Sequence, residues 1–191
     1  MNLLILNGPA DSRPGRNPLY RGTERAHPIY CSGLPDEHEI NQLFFWFLDE
    51  GGELGVVHDV QKARRFAQLW NARRTPPDQF EVIEVTDGNA PVREGTFIGF
   101  DLSSGYNNSL LAPGLAPIAH PVDLSEPVLE SYELISRNFA PQLNRHGLFD
   151  TFETADLCLR AMNALQQLSP NFFEWGDFQP TGLFVIGAGI P

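Results

Sequence analysis

The sequence QFEVIEVTDGNAPVREGTFIGFDLSSGYNNSLL, residues 79–111, contains the two clearest strand patterns of the chain. Residues 80–85 and 96–102 are rich in β-branched and aromatic side chains, which favour extended structure. Asp87 and Gly88 lie between the two segments and are typical turn residues. The pattern therefore predicts that these two strands form an antiparallel hairpin at the centre of the fold.

A polar loop follows the second strand and ends at Leu110-Leu111. Its serine, asparagine and glycine residues can form many hydrogen bonds, and loops at the end of a rigid sheet often carry binding residues. We expect this loop to be ordered and exposed, and to act with a later aromatic and acidic loop. The predicted partner-binding residues are Asp101, Ser103, Ser104, Tyr106, Asn107, Asn108, Glu174, Trp175 and Asp177.

Outside this stretch, apolar residues repeat at helical intervals in four places. Each repeat follows a short polar residue that is a suitable N-cap: Asp36, Asp59, Ser125, and Asp150 or Thr151. We expect helices over about residues 36–49, 60–72, 125–141 and 151–168, and further strands at about residues 2–6, 54–57 and 182–186.

These elements predict an α+β fold with a single mixed, largely antiparallel sheet of about five strands packed with four helices. A chain of 191 residues is long enough for one domain with a complete core. We expect one globular domain over residues 1–191. It would comprise an irregular wrapping segment at 1–35, a first unit with the central hairpin at 36–111, and a second, acidic unit at 112–191.

The two units share a sequence pattern. The segment GVVHDVQKARRFAQLWNA from Gly55 aligns without gaps on GLFDTFETADLCLRAMNA from Gly147, which places Trp70 at the same position as Met162. In each unit an apolar helix precedes the segment and a strand follows it. The alignment predicts two related helix-strand-helix-strand units, or two independent uses of a common supersecondary pattern.

Charge is distributed unevenly along the chain. Residues 1–74 contain nine acidic and nine basic residues, whereas residues 75–191 contain fifteen acidic and four basic residues. The whole net charge of −11 therefore lies after Arg74. A field of this sign attracts cationic proteins and repels nucleic acid and anionic membranes, although acidity also serves solubility alone.

Few residues are arranged in a way that indicates catalysis. The five histidines lack the close helical spacing of a metal pair, and the glycines match neither a phosphate-binding loop nor a dinucleotide fingerprint. Asp59 after His58 is better explained as a helix cap than as a partner in acid–base catalysis. Cys31 and Cys158 are too few for a disulfide framework and are more typical of buried free thiols, with a single bridge between them as the alternative. We expect a cytoplasmic protein with no metal, no cofactor and no enzymatic activity.

One resemblance points to an enzyme instead. Leu19-Tyr20-Arg21-Gly22-Thr23 resembles the first-strand arginine motif of ADP-ribosyltransferases, and Phe100-Asp101-Leu102-Ser103-Ser104 is similar to their strand-borne serine motif. The resemblance implies a nicotinamide-dinucleotide site that uses Tyr20, Arg21 and Ser103. The glutamate motif that carries catalysis in that family does not follow Ser104 in this sequence.

The sequence thus favours a non-enzymatic acidic protein that binds a cationic protein partner. By analogy, an immunity-type inhibitor of a basic toxin would have these properties. The alternative is an ADP-ribosyltransferase-like enzyme or dinucleotide binder based on Arg21 and Ser103.

Overall fold

The computed structural model describes residues 3–7, 37–51, 56–72, 81–87, 95–104, 108–111, 125–168 and 177–186. These ranges form an α+β fold with four α-helices and an antiparallel sheet, which confirms the predicted fold class. The helices are α1 (Glu37–Gly51), α2 (Val60–Asn71), α3 (Glu126–Phe139) and α4 (Phe152–Leu168). The strands are β1 (Leu3–Asn7), β2 (Val56–Val57), β3 (Glu81–Asp87), β4 (Thr96–Ser104), β5 (Asn108–Ser109) and β6 (Gln179–Val185).

The strands of the described ranges follow the order β2-β1-β3-β6-β4-β5, and every pairing among them is antiparallel. The sheet therefore has six strands and no parallel pair among the described residues, so neither the expected number of about five nor the expected mixed pairing is confirmed. Two of the six, β2 and β5, are only two residues long and lie at the two edges. Short edge strands limit the number of unpaired backbone groups that the sheet exposes.

The predicted hairpin of β3 and β4 is wrong, because β6 lies between these two strands. Phe184 of β6 pairs with Glu84 of β3 on one side and with Phe97 of β4 on the other. Gly182 permits the close packing of the three strands, since a Cβ atom at this position would lie 2.8 Å from Thr86 Oγ1. The last strand of the chain thus joins the two strands that the sequence pattern pairs directly.

Side-chain caps determine where two of the helices begin. Asp59 Oδ1 accepts hydrogen bonds from the backbone N–H groups of Gln61 and Lys62, both at 3.0 Å, at the start of α2. Thr151 Oγ1 accepts from the N–H of Thr154 at 3.2 Å at the start of α4. The sequence predicts the Asp59 cap, and Thr151 is one of the two alternatives that it offers for α4. Ser125 also precedes its helix as expected, but its side chain forms no cap hydrogen bond, and the predicted cap Asp36 lies outside the described residues.

Helices α3 and α4 pack together and against β4 in one apolar core. Val128 and Tyr132 of α3, Met162 of α4 and Leu102 of β4 are each at most 4% exposed. The connector between the two helices contributes Phe149, whose backbone exchanges two hydrogen bonds with Phe100 of β4 at 2.7 and 2.9 Å. This pairing fixes the α3–α4 pair to the sheet.

Candidate functional site

The predicted site surrounds a row of polar residues that crosses three strands. Thr181 of β6 pairs with Asp87 of β3 and with Asp101 of β4. Directly paired residues of neighbouring strands point to the same face of a sheet, and residues two positions apart along a strand share that face. Ser103 and Gln179, which pair with each other, therefore extend the same polar face toward β5.

Hydrogen bonds connect these side chains to one another. The Ser103 and Thr181 hydroxyl oxygens lie 2.6 Å apart, and Gln179 Nε2 donates to Asp87 Oδ1 at 3.2 Å. Ser109 of β5 donates through its hydroxyl to Asp101 Oδ1 at 2.6 Å and accepts from the N–H of Leu111 at 3.0 Å. The polar row thus joins β5 and the residues after it to the centre of the sheet.

Burial determines what this row can do. Asp101 and Thr181 are 0% exposed and Ser103 is 2% exposed. A side chain without exposed surface cannot contact a partner directly, so Asp101 and Ser103 support the β4–β5 connection and do not form a contact surface. A buried carboxylate needs hydrogen bonds to offset the loss of water, and the Ser109 hydroxyl donates one to Asp101.

Other predicted partner-binding residues do meet at this end of the sheet. Ser104 ends β4, Asn108 pairs with it from β5, and Asp177 stands exposed two residues before β6. Because β4 and β6 are antiparallel, Asp177 lies at the same end as Ser104. The side chains of Tyr106, Asn107, Glu174 and Trp175 lie outside the described residues, and their part in a site stays a prediction.

The alternative dinucleotide site is represented in the described ranges by Ser103 alone, since Tyr20 and Arg21 lie outside them. The Ser103 hydroxyl is buried and bonded to Thr181. In this arrangement it is not presented to a ligand. The resemblance to ADP-ribosyltransferases stays a prediction without a structural observation in its favour.

The surface of the α3–α4 pair is acidic, and no local sequence motif marks it as a site. Glu126 and Glu130 of α3 and Glu153 of α4 are exposed. The arginines of the two helices pair within their own helix: Arg137 lies 3.1 Å from Glu133 and Arg160 lies 2.6 Å from Asp156, whereas Arg145 of the connector is exposed. The spacing of Glu126, Glu130 and Glu133 at helical intervals is the signal that could have indicated one charged helical face.

Cys158 is a buried free thiol in the core between α3 and α4, as the sequence predicts. Burial raises the pKa of the Cys158 thiol to about 12. The thiolate is the nucleophilic form of cysteine, so Cys158 stays protonated and unreactive at neutral pH. Its contribution is to packing.

The described part of the chain provides little for other chemistry. It contains no group of three or more histidine, cysteine, aspartate or glutamate side chains arranged to hold a metal ion. His58 is exposed beside Asp59, whose Oδ1 atom caps α2. Among the described helices, none combines the length and the apolar composition required to cross a membrane.

Comparison with known proteins gives no relative for this chain: no family model, no curated protein and no solved structure matches it.

Proposed function

We propose that this protein is a non-enzymatic binding protein whose acidic second part recognises a cationic protein partner. The observation that carries the proposal is the uneven balance of charge on α3 and α4. Their exposed surface presents Glu126, Glu130 and Glu153, while Arg137 and Arg160 are each engaged by an acidic residue of the same helix. Carboxylates in this arrangement attract lysine and arginine side chains of a partner.

The exposed end of the sheet supports the same proposal. Asp177 is exposed beside the end of β4, and the buried bond from Ser109 to Asp101 holds β5 against that strand. We propose that this end provides additional contacts and that its buried polar row keeps them in position. A protein of this kind, made in the cytoplasm, would suit the task of an immunity-type inhibitor that neutralises a basic toxin.

A cationic peptide tests the proposal without knowledge of the natural partner. We expect a peptide of about twenty residues, half of them lysine, to associate at least about tenfold more slowly at 0.5 M salt than at 0.05 M, because the Debye length falls from about 14 to about 4 Å. The measurement is stopped-flow fluorescence with a labelled peptide. If the association rate does not depend on salt concentration, the acidic residues contribute to solubility and not to binding.

Two matched variants separate the proposed surface from net charge. Glu126→Gln/Glu130→Gln removes two exposed carboxylates, whereas Glu133→Gln/Asp156→Asn removes two that are already paired with arginine. Both raise the net charge by the same amount. We expect the first to weaken peptide binding more than the second. Equal effects, or stabilisation of the wild-type protein by nicotinamide dinucleotide in a thermal-shift assay, would contradict the proposal.

We also propose that the two helix-strand-helix-strand segments are related units. Ala63 in α2 and Ala155 in α4 occupy aligned positions, and both are 0% exposed. The residues before the two helices pair at opposite sides of the sheet. Val57 pairs with Leu4 of β1, and the aligned residue Phe149 pairs with Phe100 of β4.

A further inference from the structure

Helix α4 carries two large exposed apolar side chains on its outer side. Leu157 is 58% exposed and Leu168 is 64% exposed. Ala161 and Ala164 lie between them, half-buried and exposed respectively. Positions 157, 161, 164 and 168 are spaced by four, three and four residues, so they form one stripe along the helix. Two exposed leucines that flank two alanines on one side of a helix offer an apolar surface to another molecule.

This stripe is also uncharged along most of its length. Residues 161–168, AMNALQQL, contain no charged side chain, although the whole chain carries a net charge of −11. Two copies of so acidic a protein repel each other wherever carboxylates meet. An uncharged face is where a second copy can approach without that repulsion.

We infer that two copies of this protein pair through α4, with the two helices antiparallel about a two-fold axis between Met162 and Asn163. The spacing of the stripe is the basis of this inference. In that arrangement Leu157 of one copy lies level with Leu168 of the second copy, and Ala161 lies level with Ala164. A two-fold interface must be complementary to itself, and the order Leu-Ala-Ala-Leu reads the same in both directions.

Side-chain size fits the same geometry. Two helices that meet at alanines can approach to the short end of the usual range of about 8–10 Å between helix axes. Leu157 and Leu168 then lie at the two ends of the contact, where each packs beside the close central crossing. The contact between the helices thus has small alanine side chains at its centre and large leucine side chains at its two ends.

Charge distinguishes the antiparallel pairing from the parallel one. Glu153 and Asp156 lie at the N-terminal end of α4. A parallel pair would bring each carboxylate beside its copy. In the antiparallel pair, Asp156 lies level with position 169 of the second copy, about 20 Å along the axis from the other Asp156. That distance exceeds the Debye length of about 8 Å at 0.15 M salt, so the repulsion is screened.

The stripe is short, so the dimer is weak. Eleven residues of helix span about 16 Å, and a contact of that length buries less than the roughly 800 Å² per partner of a standard stable interface. A dissociation constant on the order of 10–100 µM is therefore expected. Sedimentation equilibrium of the full chain between about 5 and 500 µM should show the average mass rising from that of the monomer toward that of the dimer.

A matched pair of variants tests which surface forms the dimer. Leu157→Glu should weaken self-association at least about tenfold, because it places a charge opposite Leu168 of the second copy. Leu134→Glu is the control, since Leu134 of α3 is also 58% exposed but lies on another helix; it should leave the dimer unchanged. Circular dichroism verifies that both variants remain folded.

A compensating change tests the antiparallel register. In the variant Leu157→Glu/Leu168→Lys each glutamate faces a lysine of the second copy, so self-association should return and become sensitive to salt. A parallel pair would not be restored by this change. A wild-type protein that remains monomeric at about 500 µM, an equal effect of Leu134→Glu, or a double variant as weak as Leu157→Glu would each overturn the inference.

The inference is independent of the proposed binding of a cationic partner. Leu157→Glu should leave the salt-dependent binding of the lysine-rich peptide intact. If the wild-type protein were monomeric and Leu157→Glu abolished peptide binding, the α4 face would belong to the partner site, and pairing with a second copy would be wrong.

Discussion

The two helix pairs of this protein are similar inside and different outside. In both α2 and α4 a capping residue is followed by an alanine that is 0% exposed, Ala63 or Ala155. On the outside, α2 reaches α1 through charged side chains. Arg65 donates to both carboxylate oxygens of Glu39 at 2.8 and 3.0 Å, and the Lys62 ammonium lies 5.1 Å from the centre of the Trp46 ring.

The outer face of α4 lacks such contacts with α3 among the described side chains. Arg160 pairs with Asp156 of the same helix, and Leu157 and Leu168 are exposed. The two helices thus share a buried alanine at aligned positions and differ in the contacts of their exposed positions. Any difference in binding between the two helix pairs is therefore expected to come from the exposed residues of their outer faces.

The largest expected effect tests whether the two interiors are equivalent. Met162 is 1% exposed in the core between α3 and α4. Met162→Ala should lower the free energy of unfolding by about 2–5 kcal/mol, because it removes a buried side chain and leaves a cavity. The alignment predicts a loss in the same range for Trp70→Ala, although the Trp70 side chain lies outside the described residues. Urea denaturation followed by circular dichroism measures both.

Asn163→Ala, at an exposed position of α4, is the control and should change the free energy of unfolding by less than about 0.5 kcal/mol. A Trp70→Ala variant with normal stability that no longer binds the lysine-rich peptide would break the comparison. Trp70 would then be an interface residue, and the two units would not share an equivalent core position.

A smaller effect should appear only in the second pair, because its core contains an ionisable thiol. The pKa of Cys158 is raised from 9.0 to about 12 by burial. Above pH 9 the unfolded chain loses this proton while the folded protein retains it, so stability that is complete below pH 9 is lost as the pH rises toward 12. At pH 10.5 the loss attributable to Cys158 is about 2 kcal/mol.

Cys158→Ala should reduce the slope of unfolding free energy against pH between about pH 9 and 10.5, measured by urea denaturation. Burial, with a smaller contribution from the Cys158 charge, also raises the pKa of Tyr132, so part of the slope should persist in the variant. Met162→Ala is the matched control, since it lowers stability without removing a titrating group. An unchanged slope in Cys158→Ala would show that the thiol is not protected from ionisation.

The smallest expected effect compares the two helix caps. Asp59→Ala and Thr151→Ala should each cost about 0.5–2 kcal/mol of stability. Asp59→Ala should cause the larger loss of stability. Asp59 accepts two backbone hydrogen bonds and its charge interacts favourably with the helix N-terminus, whereas Thr151 accepts one backbone hydrogen bond. Thermal denaturation of the two variants, beside Asp59→Asn as the conservative control, measures the difference. A larger loss for Thr151→Ala would reverse the predicted order of the caps.

The sequence predicts where several of the candidate residues lie, while their role in binding stays a prediction. The sequence indicates where β4 ends and which polar residues follow, and the structure places Ser104, Asn108 and Asp177 at that end of the sheet. It does not indicate that Asp101 and Ser103 are buried. Their exposure depends on neighbouring strands from distant parts of the chain, and the polarity of a residue alone does not report which neighbours it has.

The sequence by itself determines the four helices and the approximate positions of five of the six described strands, because these depend on interactions within a few residues. Strand β5 lies in the stretch that the sequence predicts as a loop. Capping by Asp59 and Thr151 and the apolar repeats of α3 and α4 are local signals. Only the tertiary structure decides how the strands are arranged. Residues 80–85 and 96–102 each have a clear strand pattern and follow one another in the chain, yet β6 separates them. The position of β6 between β3 and β4 buries Leu183 and Phe184 on opposite faces of the sheet. This burial involves strands about a hundred residues apart in the chain, so local sequence patterns do not reveal it.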